Sequence, residues 1–377
     1  MKNEISSLEL YYLAKELKVL EGSKVDRVFH AKSTPKELVL GFHTTGQGKS
    51  FLRVILPSMI FLSDFKELSD TPTGLCMMLR KYLEGSRLKQ IVQKDFERVI
   101  ELKLEAKIEG KISNFRLIIE LFGKGNVIFC DDDYKILNLL EQQHWKDREV
   151  KKDAVYVFPR SQFNVLSITK EAFTGGIKDS VKDSIVKTLA IVFSLGGTYS
   201  EEICANSEVE KNKKIKDVTK SDMDRLYQEF TKLFDRPIKA NSLEGQIFPF
   251  ELKTHEGTQR VYYSTFCEAI DKNYNEVRDK ESKITKDHGL DKIRAIIEEQ
   301  TKLLEESNNS YEENQKKGEL LYERYQEIKQ ILDAIKSARK KYSWKDIKKK
   351  LDDNPDIKRL VKDIDEKTSS IIIEIEK

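Results

Sequence analysis

The chain has 377 residues, of which 39% are hydrophobic and 35% charged, so it can hold two or three domains and is too apolar to be intrinsically disordered. Its 67 Lys and Arg residues barely outnumber its 64 Asp and Glu residues, so a nucleic-acid-binding function has to rest on local basic clusters. The four cysteines are far apart and form no CxxC motif, which excludes a disulfide framework and a zinc ribbon and fits a cytoplasmic protein. The sequence contains no apolar run of about 18 residues, so we expect no membrane span.

The N-terminal segment predicts an amphipathic helix. Apolar residues recur at helical spacing over residues 4–20, and Ser6 or Ser7 can cap the start of the helix. Glutamates interrupt the apolar residues, so the segment does not match the apolar core of a signal peptide. We therefore expect it to be a helix of the folded protein.

Three strands are predicted after this helix. The runs 25–30, 37–43 and 51–56 are rich in strand-forming residues and are separated by turn residues. The segment between the last two, GFHTTGQGKS, ends like a phosphate-binding loop, but such a loop needs a glycine at the position of His43 and a following helix. We interpret the segment as a hairpin turn.

Residues 71–140 predict a basic helix that leads directly into a meander of strands. Apolar residues recur at helical spacing up to Leu88, with basic side chains between them at Arg80, Lys81 and Arg87. After the helix the apolar period changes to two, which predicts strands with one buried face.

The dipeptide Glu97-Arg98 falls where this helix is expected to meet the sheet. An arginine can donate two hydrogen bonds to a phosphate or stack on a base, and a carboxylate can orient it or accept from a 2′-hydroxyl. This chemistry suits an RNA contact; an exposed ion pair at a strand end is the alternative.

The acidic triplet at 131–133 is interpreted as a turn, because no carboxylates follow it at calcium-loop spacing. No metal or cofactor is predicted anywhere in the chain.

Residues 171–235 predict helices, two of which are joined by a turn that contains Gly196 and Gly197. Helix, Gly-Gly turn and helix match a helix–hairpin–helix unit, whose turn amides can hold a phosphate. Lys211, Lys213 and Lys214 follow as further candidate phosphate contacts. An ordinary helical turn with a solvated lysine run is the alternative.

The C-terminal third predicts a hairpin over residues 246–263 and then a coiled coil from residue 290, whose second helix folds back on the first through residues 357–364. Residues 371–375 predict a terminal strand that pairs within this protein or marks a truncated chain. Basic residues cluster near the predicted tip of the arm and suit contact with phosphates: Lys336, Arg339, Lys340, Lys341, Lys345, Lys348, Lys349 and Lys350.

Together, these segments resemble the NFACT family of NEMF-like ribosome quality-control factors, whose bacterial and archaeal members were once described as fibronectin-binding proteins. The resemblance covers essentially the whole chain and rests on SSLELYYLAKELK, CMMLRKYLEGSRLKQIVQKDFERVIEL, ELFGKGNVIFCDDDYKIL, LGGTYSEEIC with KNKK, and KGELLYERYQ. The LGGTYSEEIC segment is most similar to archaeal members.

The resemblance implies an α+β fold in several parts. These are a domain resembling formamidopyrimidine-DNA glycosylases at 1–168, a helix–hairpin–helix domain at 169–240, a β-hairpin segment at 241–285 that packs back on the first domain, an antiparallel coiled-coil arm with a small helical middle region at 286–370, and a terminal strand at 371–377. The family's C-terminal RNA-binding domain has no counterpart here, so we expect a truncated chain.

The resemblance also implies a function. Family members bind a stalled large ribosomal subunit that carries peptidyl-tRNA, and they recruit aminoacyl-tRNA for C-terminal tailing of the nascent chain. The family motif falls on Glu9 and on Glu97-Arg98, with glutamate in place of aspartate at both acidic positions. On this basis Glu9, Glu97 and Arg98, together with the basic helix, are expected to contact tRNA, and the basic arm is expected to contact the ribosome.

We therefore expect a cytoplasmic, monomeric factor that is not itself an enzyme, with weak self-association through the coiled coil as an option. Two alternatives stay open at this point, a glycosylase-like DNA-binding protein and a coiled-coil scaffold. The glycosylases use an N-terminal proline followed by glutamate, whereas this chain begins Met1-Lys2-Asn3, and its cysteines do not suit their zinc finger.

Overall fold

The protein folds as two units, Met1–Asp279 and Lys280–Lys377. The computed structural model describes residues 4–46, 48–64, 71–145, 148–159, 163–353, 358, 360–365, 368 and 370–374, and within this part it leaves out the side chains of residues 279–292. The predicted domain boundaries at residues 168 and 240 fall inside the first unit.

The N-terminal half of the first unit is dominated by a nine-stranded antiparallel sheet of order β4-β3-β2-β1-β5-β6-β7-β8-β9. Its elements in chain order are α1 (Ser7–Leu17), β1 (Lys24–Phe29), β2 (Glu37–Thr44), β3 (Gly48–Ile55), β4 (Met59–Ser63), α2 (Gly74–Leu83), β5 (Arg87–Gln93), β6 (Val99–Ile108), β7 (Lys111–Glu120), β8 (Asn126–Asp131) and β9 (Ile136–Leu139). A separate small ribbon follows, formed by β10 (Gln143–His144) and β11 (Glu149–Val150). The first helix, the first three strands and the hairpin between β2 and β3 are confirmed, since Thr44 pairs with Gly48 across the turn.

The basic helix is shorter than predicted. Helix α2 ends at Leu83, and Gly85 follows with a φ of +83°, a conformation that stops a helix. Leu88 is buried on strand β5, and Arg87 begins that strand. The prediction that Arg87 lies on the helix is therefore wrong.

The predicted alternation of the meander is confirmed, but the opposite face is also partly buried. On one face Ile100, Leu102 and Leu104 join the main core with α1 and α2. On the other face Ile118 and Ile128 form a second, smaller core with residues of the segment after β9, including Tyr156.

Helices and a small sheet complete the first unit. They are α3 (Lys170–Lys178), α4 (Ile185–Val192), α5 (Gly196–Asn206), α6 (Lys220–Lys232), β12 (Asn241–Leu243), β13 (Gln246–Phe248), β14 (Val261–Tyr262) and α7 (Phe266–Glu323), the last of which continues into the second unit. Phe248 and Phe250 belong to the same core as α1, so this segment packs on the N-terminal part as expected.

The predicted hairpin over 246–263 is wrong, because β13 and β14 do not pair with each other but lie on either side of β12. The segment predicted at 241–285 also turns helical at Phe266.

The second unit contains α8 (Tyr325–Arg339), α9 (Trp344–Asp352), β15 (Val361–Asp365) and β16 (Ser370–Ile373). Residues 361–364 of the predicted returning helix belong instead to strand β15, which pairs with the predicted terminal strand. Val361 and Ile364 nevertheless pack back on Ile331 and Ile335 of α8.

The predicted coiled-coil seam of α7 is not covered by a returning helix in the described part of the chain, where Ile297, Leu304 and Tyr311 are exposed. Residues 355–357 and 359 of the predicted returning helix, and residues 375–377 of the predicted terminal strand, lie outside the described residues.

Candidate nucleic-acid interface

Glu9 lies inside the protein, not on its surface. Ser6 and Glu9 form a capping box at the start of α1, in which the Ser6 amide donates to Glu9 Oε2 at 2.8 Å and the Glu9 amide donates to Ser6 Oγ at 3.3 Å. The other carboxylate oxygen, Oε1, accepts a 2.6 Å hydrogen bond from the hydroxyl of Tyr199 on α5. The side chain of Glu9 is fully buried, so in this structure it ties α1 to α5.

The partner of Glu9 is itself buried. Burial, together with the Glu9 carboxylate, raises the pKa of Tyr199 well above its ordinary value. The phenol therefore stays protonated and keeps donating to Glu9.

Arg98 lies in the turn between β5 and β6, and its carboxylate partner is Glu4. The guanidinium donates from Nη1 to Glu4 Oε2 at 2.6 Å and to the carbonyl of Ile5 at 3.4 Å. The side chains of Arg98 and Glu4 are 24% and 48% exposed. The acidic partner of Arg98 is therefore a residue that precedes α1.

Hydrogen bonds from one side chain and the burial of another fix the turn that carries Arg98. The amide of the Gln93 side chain donates to the carbonyl of Ser7 at 2.8 Å and to that of Glu97 at 3.0 Å, which ties the turn to the start of α1. Phe96 is buried beneath the turn, with a φ of +62°. Glu97 itself is half-buried.

The three remaining basic candidates of this region differ in availability. Arg80 donates from Nε to the carbonyl of Val28 at 2.8 Å, and Arg87 donates from Nη1 to the carbonyl of Gly22 at 2.6 Å. Lys81 is exposed and lies 5.4 Å from the ring centre of Tyr82.

The Gly-Gly turn is present between α4 and α5. Gly196 and Gly197 open α5, and Gly196 has a φ of +72°, which favours glycine. A side chain at either position would meet no atom within 4 Å, so the turn faces open space. The assignment of this pair of helices as a helix–hairpin–helix unit stays a prediction.

The lysines after α5 are placed beside α4, not at the Gly-Gly turn. The carbonyls of Lys211 and Lys213 accept from the amides of Val186 and Ile185 in the first turn of α4. The side chain of Lys213 donates to Asp222 at 2.7 Å.

The side chains flanking Lys213 differ from it in exposure. Lys211 lies 3.2 Å from Glu201, with both side chains about half exposed, and Lys214 is exposed. Lys211 and Lys214 are therefore more accessible than Lys213.

In the second unit, the predicted arm residues surround the turn between α8 and α9. Arg339 lies 4.9 Å from the Trp344 ring centre and donates to the carbonyl of Tyr342 at 3.3 Å. Lys348 pairs with Asp363 at 2.6 Å. The others are exposed: Lys336, Lys340, Lys341, Lys345, Lys349 and Lys350.

Sequence reasoning missed a polar cleft beside α5. Burial would raise the pKa of Glu202, but hydrogen bonds from the backbone of Lys253 and Thr254 and from the side chains of Arg236 and Asn206 lower it. A cavity of about 520 Å³ is lined by Glu202, Asn206, Arg236 and Lys253, together with residues 256–258 and 260. The only sequence signal was the acidic pair in LGGTYSEEIC, because the partners of Glu202 come from distant segments.

Within the described residues, no group of three His, Cys, Asp or Glu side chains is arranged to hold a metal ion. The same part of the chain contains no helix that is long and apolar enough to cross a membrane.

The comparison with known families agrees with this arrangement of elements. A family model of the NFACT N-terminal and middle domains matches residues 6–364. This chain belongs to the NFACT family. The matched residues extend over most of both structural units.

Two curated proteins are similar in sequence to this NFACT chain. The archaeal Rqc2 homolog aRqcH of Methanocaldococcus jannaschii is 30% identical over 401 aligned residues, which cover 100% of this chain and 58% of the relative. Ribosome quality control complex subunit 2 of Saccharomyces cerevisiae is 33% identical over 168 residues, or 43% of this chain and 15% of the relative. The NFACT chain thus spans 58% or less of the length of these relatives.

A solved structure shares the fold of the NFACT chain. The N-terminal part of the fibronectin/fibrinogen-binding protein from Streptococcus suis superposes with a TM-score of 0.60 at 21% identity, covering 72% of this chain and 100% of that one. The mixed α and β fold with its large antiparallel sheet is therefore confirmed. The expected likeness to formamidopyrimidine-DNA glycosylases stays a prediction.

Proposed function

We propose that the chain is a ribosome quality-control factor that binds the stalled large ribosomal subunit with its peptidyl-tRNA and recruits tRNA for C-terminal tailing. The observation that carries the proposal is the match of the whole chain to an archaeal Rqc2 homolog. In this proposal the chain is not an enzyme, and the ribosome forms the peptide bonds.

The geometry at Arg98 supports a tRNA contact. Its guanidinium is oriented by Glu4 and by the Ile5 carbonyl at a surface-exposed turn. An exposed ion pair of this kind contributes only about 0–1 kcal/mol, so a phosphate can replace the carboxylate at little cost. A guanidinium can donate two parallel hydrogen bonds to one phosphate, which a lysine ammonium does not match, and this makes Arg98 the strongest single candidate.

The structure changes the proposed role of Glu9. Because its carboxylate is buried and bonded to Ser6 and Tyr199, Glu9 supports the tRNA site by holding α1, which in turn fixes the turn of Arg98 through Gln93. The longer glutamate side chain thus serves a structural contact in this chain.

A second, separate contact supports binding to ribosomal RNA. Residues 336–350 contain eight Lys and Arg residues and a single acidic residue. Such a segment releases counterions when it meets phosphates, so its contribution falls steeply as salt is raised.

The first experiment is crosslinking of the protein in cell lysate, followed by sequencing of the bound nucleic acid. Recovery of tRNA and large-subunit RNA supports the proposal. Enrichment of DNA would favour the glycosylase-like alternative and overturn it, and recovery of no nucleic acid would favour a scaffold and overturn it as well.

The second experiment separates the two contacts. Arg98→Ala should weaken tRNA binding about tenfold or more, since it removes a charge-assisted contact, while binding to the large subunit should largely persist. Lys107→Ala is the matched control, because it removes an exposed cation near the other end of β6. Equal loss of tRNA and subunit binding in Arg98→Ala would mean that Arg98 is structural.

A further inference from the structure

Two clefts flank helix α8 in the second unit, and each contains an aromatic side chain. The larger, of about 550 Å³, lies beside Trp344, and its volume is in the range of roughly 300–1,000 Å³ that is typical of small-molecule pockets. The smaller, of about 200 Å³, lies beside Tyr342 and is almost wholly apolar. The side chains that form the two apolar floors are Ile328, Leu332, Ile335, Ile371, Ile347 and Leu351.

Both aromatic rings already hold a cation. The Arg339 guanidinium lies 4.9 Å from the centre of the Trp344 ring, and the Lys350 ammonium lies 3.7 Å from the centre of the Tyr342 ring. Tyr342 remains 43% exposed. Aromatic rings next to cations are the elements with which proteins hold unpaired bases and the phosphates between them.

The sequence of the turn interleaves these two chemistries. Between α8 and α9 the chain reads KKYSWK, so lysines stand on both sides of the two aromatic residues. The acidic residue nearest to the turn, Asp346, is engaged in the capping box of α9 with Ser343. The net charge around the turn is positive, because its lysines and Arg339 outnumber Asp346 and Asp333, the latter of which lines the larger cleft. A positive charge matches an RNA backbone.

We propose that this turn binds unpaired RNA, with one base in each cleft against Trp344 and Tyr342 and the flanking phosphates on the neighbouring lysines. The proposal deepens the ribosome contact suggested above and rests on it. A double-stranded RNA would contact only the cations, because its bases are stacked inside the duplex and cannot enter the apolar clefts. The apolar clefts are therefore the feature that favours unpaired nucleotides.

The test measures binding of the 377-residue chain to two RNAs of equal length by fluorescence anisotropy. One is a hairpin with six unpaired loop nucleotides and the other is fully paired. Tyr342→Leu should lower the affinity for the looped RNA roughly tenfold, the size expected for one lost stacking contact, and Tyr342→Phe should restore it. Replacing Lys340 and Lys341 by alanine should weaken the binding of both RNAs to the same extent and reduce the salt dependence of that binding.

An optical readout reports on the second cleft without removing its aromatic side chain. The chain has two tryptophans, Trp145 and Trp344, so a Trp145→Phe variant leaves Trp344 as the single reporter. Stacking of a base should quench its emission with the looped RNA and much less with the duplex.

The outcomes keep the two proposals apart. If the chain binds both RNAs equally, if Trp344 is not quenched, and if Tyr342→Leu has no selective effect, the proposal that bases bind in the two clefts is refuted. The proposed contact with the ribosome is then unaffected. If the chain binds neither RNA, the proposed ribosomal RNA contact of this segment fails as well. Binding of an acidic peptide in the clefts in place of RNA would also overturn the inference.

Discussion

The buried bond between Tyr199 and Glu9 offers the sharpest test of how the first unit is held together. Tyr199→Phe removes only the hydroxyl that donates to Glu9 Oε1 at 2.6 Å, and both side chains are almost completely buried. The carboxylate then keeps its bond from the Ser6 amide but loses its bond to α5. We expect the first unit to be destabilised without any change at the surface.

The magnitude follows from the charge of the acceptor. A hydrogen bond to a charged group contributes about 1.5–3 kcal/mol, whereas a neutral one contributes about 0.5–1.5 kcal/mol. Tyr12→Phe is the matched control, because the buried hydroxyl of Tyr12 donates to a neutral acceptor, the Leu233 carbonyl, at the same distance of 2.6 Å. We therefore expect Tyr199→Phe to cost about 2 kcal/mol and Tyr12→Phe about 1 kcal/mol.

Urea denaturation followed by circular dichroism measures this difference in the free energy of unfolding. For a unit that spans Met1–Asp279, about 2 kcal/mol corresponds to a fall in Tm of about 3–4 °C. Binding of tRNA well below the Tm should be retained, because the turn that carries Arg98 keeps its contacts to Glu4 and Ser7. A Tyr199→Phe protein of unchanged stability and reduced tRNA affinity would refute the structural role of Glu9. It would show that the carboxylate acts on RNA directly.

Three further outcomes are expected. The hydrogen bond from Lys213 lowers the pKa of Asp222 from 3.8 to about 2. The ionised Asp222 therefore stabilises the fold fully above about pH 4, and this stabilisation is lost as the pH falls through 2. In acid titrations the difference in stability between the wild type and Asp222→Asn should shrink over this window, and a constant difference would contradict the assignment. Of the two neighbouring lysines, Lys213 forms the ion pair with Asp222. Lys213→Ala should therefore lower the urea midpoint more than Lys214→Ala does, and Lys214→Ala should reduce the affinity for tRNA more than Lys213→Ala does. The opposite result in both assays would show that the ion pair is unimportant. Gly125→Ala should destabilise the first unit by about 1–3 kcal/mol, because Gly125 has a φ of +71° and an added Cβ would lie 2.8 Å from Leu56 Cβ; thermal unfolding checks this, and an unchanged Tm would mean that the backbone relaxes freely.

The sequence alone determined the local elements where a single period dominates. The alternation of Ile100, Leu102 and Leu104 predicted β6, and the two serines at the start of α1 predicted its cap, which Ser6 forms. These signals are local, since they depend on residues two to four positions apart. The end of α2 was misjudged because Leu88 continues the helical spacing although Gly85 interrupts the backbone.

Only the tertiary structure decided which side chains meet. The family resemblance implied that Glu9 and Arg98 contact tRNA together. In the fold, Arg98 pairs with Glu4, 94 residues away, and Glu9 accepts from Tyr199, 190 residues away. No periodicity carries such information, because these partners are selected by the packing of α1 between the sheet and α5. Burial then decides the role of such a side chain. A carboxylate at the surface can bind RNA, whereas a carboxylate inside the core, such as that of Glu9, accepts hydrogen bonds that hold the fold together.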